Sequence, residues 1–445
     1  MDMSGLSLDQ APPYNSVQRF FITAPIFSML VSLVIAFNGE HIFFSFINIR
    51  LIGIIHWMTL GFITMSMMGA VMQMLPVLAG VKIKNPVFFS TVIHSSLSVG
   101  ALLFGASYIF QMKQWLIFAG ILITISMSLF SVQILYRLAI LKNKSHTISA
   151  MQMSIASLTV VLCLGFYMLL WHLNVIKGAG IDIHSVHYFW AFTGWVGILI
   201  MGVSFQVIPM FYVSPEYPQL FRKNVPALIF ILLILYAIMT FLPLFEINDL
   251  FLINENVYIR KAIRITIYFL FALFSIITIK QIQRRKRKLP DPALLFWYTS
   301  MIVLFLSTTL ATTAEFYRGG YFIKIILLTG ITFLFGFIFS VINGMLYKIV
   351  PFLSWFHLAS KGIFDVPTMK DMLDDVRIKI QFIFHLLFLL SLPYYLFYPH
   401  AGHLVSGTLL FISSFLLWLN LYTVIRKYSR INNKYLLNKA KPAAT

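Results

Sequence analysis

Twelve long apolar stretches divide this 445-residue chain almost from end to end. An α-helix needs about 20 apolar residues to cross the hydrocarbon core of a bilayer. Hydrophobic residues make up 60% of the sequence and charged residues only 11%, too few to cover a chain of this size in water. We therefore predict an all-α polytopic membrane protein whose partner is the lipid bilayer. The predicted spans are 18–39, 52–79, 86–110, 115–141, 150–173, 186–213, 225–246, 259–281, 292–314, 321–353, 379–399 and 402–425.

Basic residues are concentrated in alternate connections between these spans. The chain has 33 Lys and Arg against 14 Asp and Glu, a formal charge of +19. Twenty-five of the basic residues lie in or within a few residues of the N-terminal segment, the even-numbered connections or the C-terminal tail, and eight lie in or near the odd-numbered connections. Because short basic loops stay in the cytoplasm, we predict both termini there and the odd connections outside. The basic run at 284–288 then reads as a topology determinant that needs no nucleic-acid partner.

A sixteen-residue pattern recurs on the second, sixth and tenth spans. The three copies stand 133 and 142 residues apart and predict an internal repeat of four spans per unit. We interpret the chain as one membrane domain, 1–445, built from pseudo-repeats 18–146, 147–289 and 290–430 about an axis normal to the membrane, with a cytoplasmic tail, 431–445. The patterned residues are Gly61, Gly69, Gln73 and Pro76, then Gly194, Gly202, Gln206 and Pro209, then Gly336, Gly344, Lys348 and Pro351.

Histidines supply the candidate ligands, because seven of eleven fall near the predicted outer face. His56 lies a few residues inside span two, where an imidazole is costly unless it hydrogen-bonds or binds a metal. His184 and His187 stand one helical turn apart as span six begins, with His172 in the connection before them. The pair suits copper or zinc, and either member suits haem iron. A hydrogen-bonded pair at the membrane interface is the open alternative.

Two readings are open for the glycines of span two. Gly61 and Gly69 are eight residues apart and so lie near one face of the helix. A missing side chain there permits another helix to approach closely, or leaves room for a flat ligand.

Span two also resembles a known family. A histidine that opens the helix, followed by a glycine-rich stretch closing on proline and glycine (His56, Gly69, Pro76 and Gly80), is similar to the second helix of haem–copper oxidase subunit I. Twelve spans in three four-helix arcs are that family's architecture, and the nearest resemblance is to its divergent NnrS-like and subunit-I-like bacterial relatives. The resemblance implies a bacterial inner membrane and a haem whose axial ligand is His56, with His184 or His187 as our first choice for the second ligand.

The chain also departs from the oxidase pattern. No histidine occurs from Tyr321 to Trp355, where oxidases place two haem ligands, and none occurs at 225–246, where they place copper ligands. The oxygen-reducing site therefore cannot be assembled, and we do not expect an active terminal oxidase.

Two functions follow as expectations. The first is a haem-binding, optionally copper-binding, membrane protein that transfers electrons or handles nitric oxide, with a redox partner or a second membrane subunit. The second is a cofactor-free permease, or a transporter of metal ions or protons, on the same three-arc fold.

Overall fold

The computed structural model describes residues 12–44, 48–80, 83–142, 144–178, 182–242, 250–363 and 366–440. The regular structure in these ranges is helical throughout. A helix satisfies its own backbone N–H and C=O groups, which is why apolar stretches of this length fold as helices in a bilayer that offers no hydrogen-bond partners.

Twelve helices in the described part of the chain are long and apolar enough to cross a membrane, as predicted. We number them α1 to α12: Tyr14–Ile42, Ile49–Pro76, Pro86–Ile109, Lys113–Ala139, His146–His172, Ile183–Tyr212, Gln219–Phe241, Asn256–Gln283, Ala293–Phe316, Phe322–Ala359, Asp375–Phe397 and Pro399–Lys439. Their mean hydropathy over the most apolar window runs from 1.6 to 2.6.

The helices extend further than the hydropathy pattern predicts. The last predicted span ends at 425, whereas the helix of α12 continues to Ala440 and carries Lys434 and Lys439 of the predicted tail. Likewise α8 is preceded by helical residues from Leu250 onward. Hydropathy detects only the lipid-facing and buried part of a helix, and polar turns that continue it into the interface leave no apolar signal.

The contacts within the chain group the residues into two compact units. The His56 unit contains the described residues of Ser4–Gln111, Pro290–Ser300 and Ile338–Thr445, and within it α1 packs against α2, α3 and α12, and α11 against α12. The His187 unit contains Met112–Leu289 and Met301–Phe337, and within it α5 packs against α4, α6 and α7.

Each patterned helix contains one π-helical segment. These segments are Trp57–Thr64 in α2, Trp190–Ile198 in α6 and Thr332–Phe339 in α10. Each begins four residues before the first glycine of the pattern, so the three distortions share one register. A π-helical turn contains about one residue more than an α-helical turn. Such segments are rare and occur frequently at functional sites.

The ends of the patterned helices differ. Pro76 and Pro209 lie three residues before the helices stop at Ala79 and Tyr212. The next residue has a left-handed backbone in both: Gly80 with φ 64° and ψ 19°, and Val213 with φ 51° and ψ 47°. In α10 the helix instead continues past Pro351 to Ala359.

Candidate functional site

His56 lies at the end of the first two turns of α2. Asn48 starts this helix by accepting a hydrogen bond from the backbone N–H of Arg50 at 3.0 Å. The imidazole Nδ1 of His56 donates to the carbonyl oxygen of Ile52 at 2.8 Å, and the ring of Phe104 lies beside it at 4.8 Å between centroids. Because Nδ1 carries the proton, the lone pair of this half-buried ring is on Nε2.

The glycines of α2 pack against α1. A Cβ on Gly61 would stand 2.1 Å from Cγ of Phe27, and one on Gly69 would stand 2.8 Å from Cβ of Phe20. The structure therefore shows close helix approach on this face, which was one of the two readings; a haem-binding role for Gly61 and Gly69 stays a prediction.

The equivalent glycines pack in the same way in the other pseudo-repeats. Gly194 and Gly202 approach Ser157 and Ala150 of α5, and Gly336 and Gly344 approach Val303 and Phe296 of α9. In all three cases the glycine face receives the helix that precedes it in the chain. This shared packing and the shared π segments agree with the sequence register of the repeat.

His184 and His187 lie on the first turns of α6, in the His187 unit. The side chain of Asp182 accepts from the backbone N–H of Ser185 at 3.2 Å and so caps this helix. His184 is exposed and lies 5.6 Å from the ring of Trp171, whereas the half-buried His187 approaches Gly165, where a Cβ would stand 3.1 Å from its Cε1.

The structure does not place His172, His184 and His187 in one ligand cluster. Across the described residues, no three His, Cys, Asp or Glu side chains come together in a group that could hold a metal ion. His172 is exposed at the last residue of α5. The repeat register sets Phe189, and not a histidine, at the position of His56. The ligand roles of these histidines stay predictions.

A second histidine of the His56 unit has the same internal hydrogen bond as His56. On the first turn of α12, Nδ1 of His403 donates to the carbonyl oxygen of Pro399 at 2.7 Å, again leaving the lone pair on Nε2. Nδ1 of the neighbouring His400 contacts the carboxylate of Glu40. Neither histidine was named as a candidate ligand from the sequence, because the hydrogen bond of His403 depends on a helix that starts at Pro399, before the predicted span 402–425.

Sequence reasoning also missed a charge pair inside the His187 unit. The guanidinium of Arg264 on α8 contacts the carboxylate of Glu315 on α9 through two parallel hydrogen bonds, Nε to Oε1 at 2.6 Å and Nη2 to Oε2 at 2.7 Å. Only 22% and 10% of the two side chains are exposed, and the ring of Tyr236 lies 5.9 Å from the guanidinium. The signal was one Arg and one Glu near the same, odd-connection ends of adjacent predicted spans.

No protein-family model matches this chain, and no curated protein matches its sequence.

Proposed function

We propose that the chain is a haem-binding protein of a bacterial inner membrane, related to subunit I of the haem–copper oxidases, with His56 as an axial ligand. The observation that carries the proposal is the Nδ1 hydrogen bond of His56 to Ile52, which fixes the ring and presents the Nε2 lone pair. Haem- and metal-ligating histidines characteristically donate their other ring N–H to a backbone carbonyl or a carboxylate.

The proposal includes the three-arc architecture and its orientation. Three π segments in one register and three glycine faces packed on the preceding helix support pseudo-repeats of four spans. The basic even connections support cytoplasmic termini.

A haem held here would supply electron transfer, or binding of a diatomic gas such as nitric oxide if one axial position is open. His56 would hold it and Phe104 would pack beside the ligand ring. His403 lies in the same unit as His56 and is a further candidate for the second ligand, beside His184 and His187.

The test is the visible spectrum of the purified protein after expression with ample haem. We expect a Soret band in the wild type, and its loss, or a change from six- to five-coordinate iron, in His56→Ala.

The matched control is His94→Ala, a half-buried histidine of the same unit whose Nε2 is hydrogen-bonded to Thr23 Oγ1 at 2.9 Å. Its spectrum should equal that of the wild type. The proposal fails if a well-folded wild type has no Soret band, or if His56→Ala keeps the low-spin spectrum at equal yield.

A specific observation favours the second candidate, a cofactor-free permease. Ionisable residues in membrane spans mark ion and substrate paths more often than they form purely structural salt bridges. Arg264 and Glu315 form such an ionisable pair. A haem-free, folded wild-type protein would make this the better assignment.

A further inference from the structure

One face of α11 carries a stripe of buried polar side chains. Gln381, His385, Ser391 and Tyr395 are almost fully buried, and at 100° per residue they fall within one third of the helix circumference. All of them, with the partners named below, belong to the His56 unit.

The stripe hydrogen-bonds to the neighbouring helices at successive levels. His385 Nε2 is 2.7 Å from Ser340 Oγ of α10, and Gln381 Nε2 donates to Asn343 Oδ1 of α10 at 3.2 Å and to Ser413 Oγ of α12 at 2.9 Å. One turn nearer the even connections, Asn420 Nδ2 donates to Tyr347 at 3.0 Å.

The other end of the stripe is bonded separately. Ser391 Oγ is 2.8 Å from Ser406 Oγ, and the Tyr395 hydroxyl donates to the carbonyl oxygen of Gly39 at 2.6 Å. Asn420 Nδ2 also lies 3.4 Å from the carbonyl oxygen of Arg377. From Arg377 to Tyr395, α11 rises about 27 Å, close to the thickness of the hydrocarbon core.

Three buried polar atoms in the central levels have no hydrogen-bond partner among the residues that the structure describes: His385 Nδ1, Gln381 Oε1 and Ser414 Oγ. The side chains of all three residues are fully buried. A buried donor or acceptor without a partner costs about 1–3 kcal/mol, so three in adjoining positions on α11 and α12 call for small polar molecules as partners.

We propose that α10, α11 and α12 enclose a site for water and a proton, with His385 as the group that takes the proton. Hydronium entering past Asn420 and Gln381 gives its proton to Nδ1 of His385 and leaves neutral water behind. Within the His56 unit, the Asp, Glu, Lys and Arg residues of these three helices lie toward the even connections; they include Arg377 and Lys348, which pairs with Asp291. The inference requires no haem and goes beyond the role proposed for His56.

Phe388 closes the site on its far side. It is fully buried on the same face of α11, between His385 and Ser391, whose positions differ by about 9 Å along the axis. No polar side chain of the stripe lies in that interval, so the hydrogen-bonded levels around His385 continue only toward Gln381 and Asn420.

The first experiment detects the water directly. Protein labelled with ¹⁵N-histidine in lipid bilayers is measured by water-edited solid-state NMR, and the His385 signal is identified as the one missing in His385→Gln. We expect rapid transfer of magnetisation from water to that signal. A His385 ring with no water contact would overturn the proposal, because hydrogen bonds that serve only to join helices need no water.

The second experiment tests the closure with proton flux into vesicles that contain a pH-sensitive dye, under a potassium diffusion potential. We expect wild-type protein to conduct little more than protein-free vesicles and Phe388→Ala to conduct clearly. Adding His385→Gln to Phe388→Ala should return the flux to the protein-free level, whereas adding His94→Gln should leave it high. Equal flux in Phe388→Ala and wild type, or full flux without His385, would contradict the proposed path.

Discussion

At the scale of the residue, the glycines of α2 allow α1 to pack closely against this helix. Gly61 lies at the fifth residue of a π segment and against Phe27, so a single methyl group there would overlap an aromatic ring and its Cβ. An overlap with the Cβ cannot be relieved by rotating a side chain, and the helices must move apart.

We therefore expect Gly61→Ala to destabilise the protein by about 1–3 kcal/mol, the usual cost of overpacking. Gly330→Ala on α10 is the control, since a Cβ there meets nothing within 4 Å. The readout is the thermal unfolding midpoint in detergent, followed by size-exclusion chromatography. A Gly61→Ala protein as stable as Gly330→Ala would contradict close packing at this position.

At the scale of the element, helix ends and helix pairs carry strain and charge that local patterns do not show. Val213 holds a left-handed backbone at the end of α6, and its carbonyl oxygen accepts from the backbone N–H of Lys286 at 2.9 Å. The equivalent position after α2 is Gly80, which adopts this conformation without a steric cost.

Val213→Gly should raise the unfolding midpoint, with a gain of about 0.5–1 kcal/mol. Relief of a left-handed β-branched residue is worth about 1–2 kcal/mol, and the greater freedom of glycine in the unfolded chain offsets part of it. The side chain is 43% exposed, so little burial is lost. The reciprocal change, Gly80→Val, should lower the midpoint. A lower midpoint in Val213→Gly together with a higher midpoint in Gly80→Val would show that side-chain packing at these helix ends outweighs backbone strain.

The pair between α8 and α9 gives a second prediction at this scale. Arg264→Ala or Glu315→Ala should each cost about 3–5 kcal/mol, because the remaining charge is left without its partner in an apolar surrounding. The double variant Arg264→Met with Glu315→Leu should recover most of that loss, since it leaves no charge. Denaturant titration of the three proteins measures the differences. Single variants as stable as the double variant would mean that solvent reaches the pair.

At the scale of the whole molecule, the proposed orientation rests on the alternation of connections rich and poor in basic residues. Seven histidines then share the outer side, and the side reversed would place every candidate ligand in the cytoplasm.

Cysteines introduced one at a time into a Cys163→Ala background report this orientation, because each variant then carries a single thiol. Arg285→Cys should react with a membrane-impermeant maleimide only after the cytoplasmic face is opened, and Asn254→Cys should react in intact cells. The reversed pattern would show that the basic connections do not set the topology.

The sequence by itself predicted the helical class and twelve helices long and apolar enough to cross a membrane, because both follow from apolar length along one chain, and the structure confirms them. The repeat of four spans, read from residue spacing, stays a prediction. The sequence did not predict that the helices extend into the interface, because polar helical turns have no hydropathy signal.

Only the tertiary structure decided which side chains meet. The partner of Arg264 lies 51 residues away, the partners of Gln381 lie 38 and 32 residues away, and Gly61 lies against Phe27, on another helix. Spacing along one helix specifies a face but not the helix that covers it. The hydrogen bond that orients His56 joins residues four apart on one helix, so the sequence spacing could predict it. The polar levels around His385 form only when three helices are packed together.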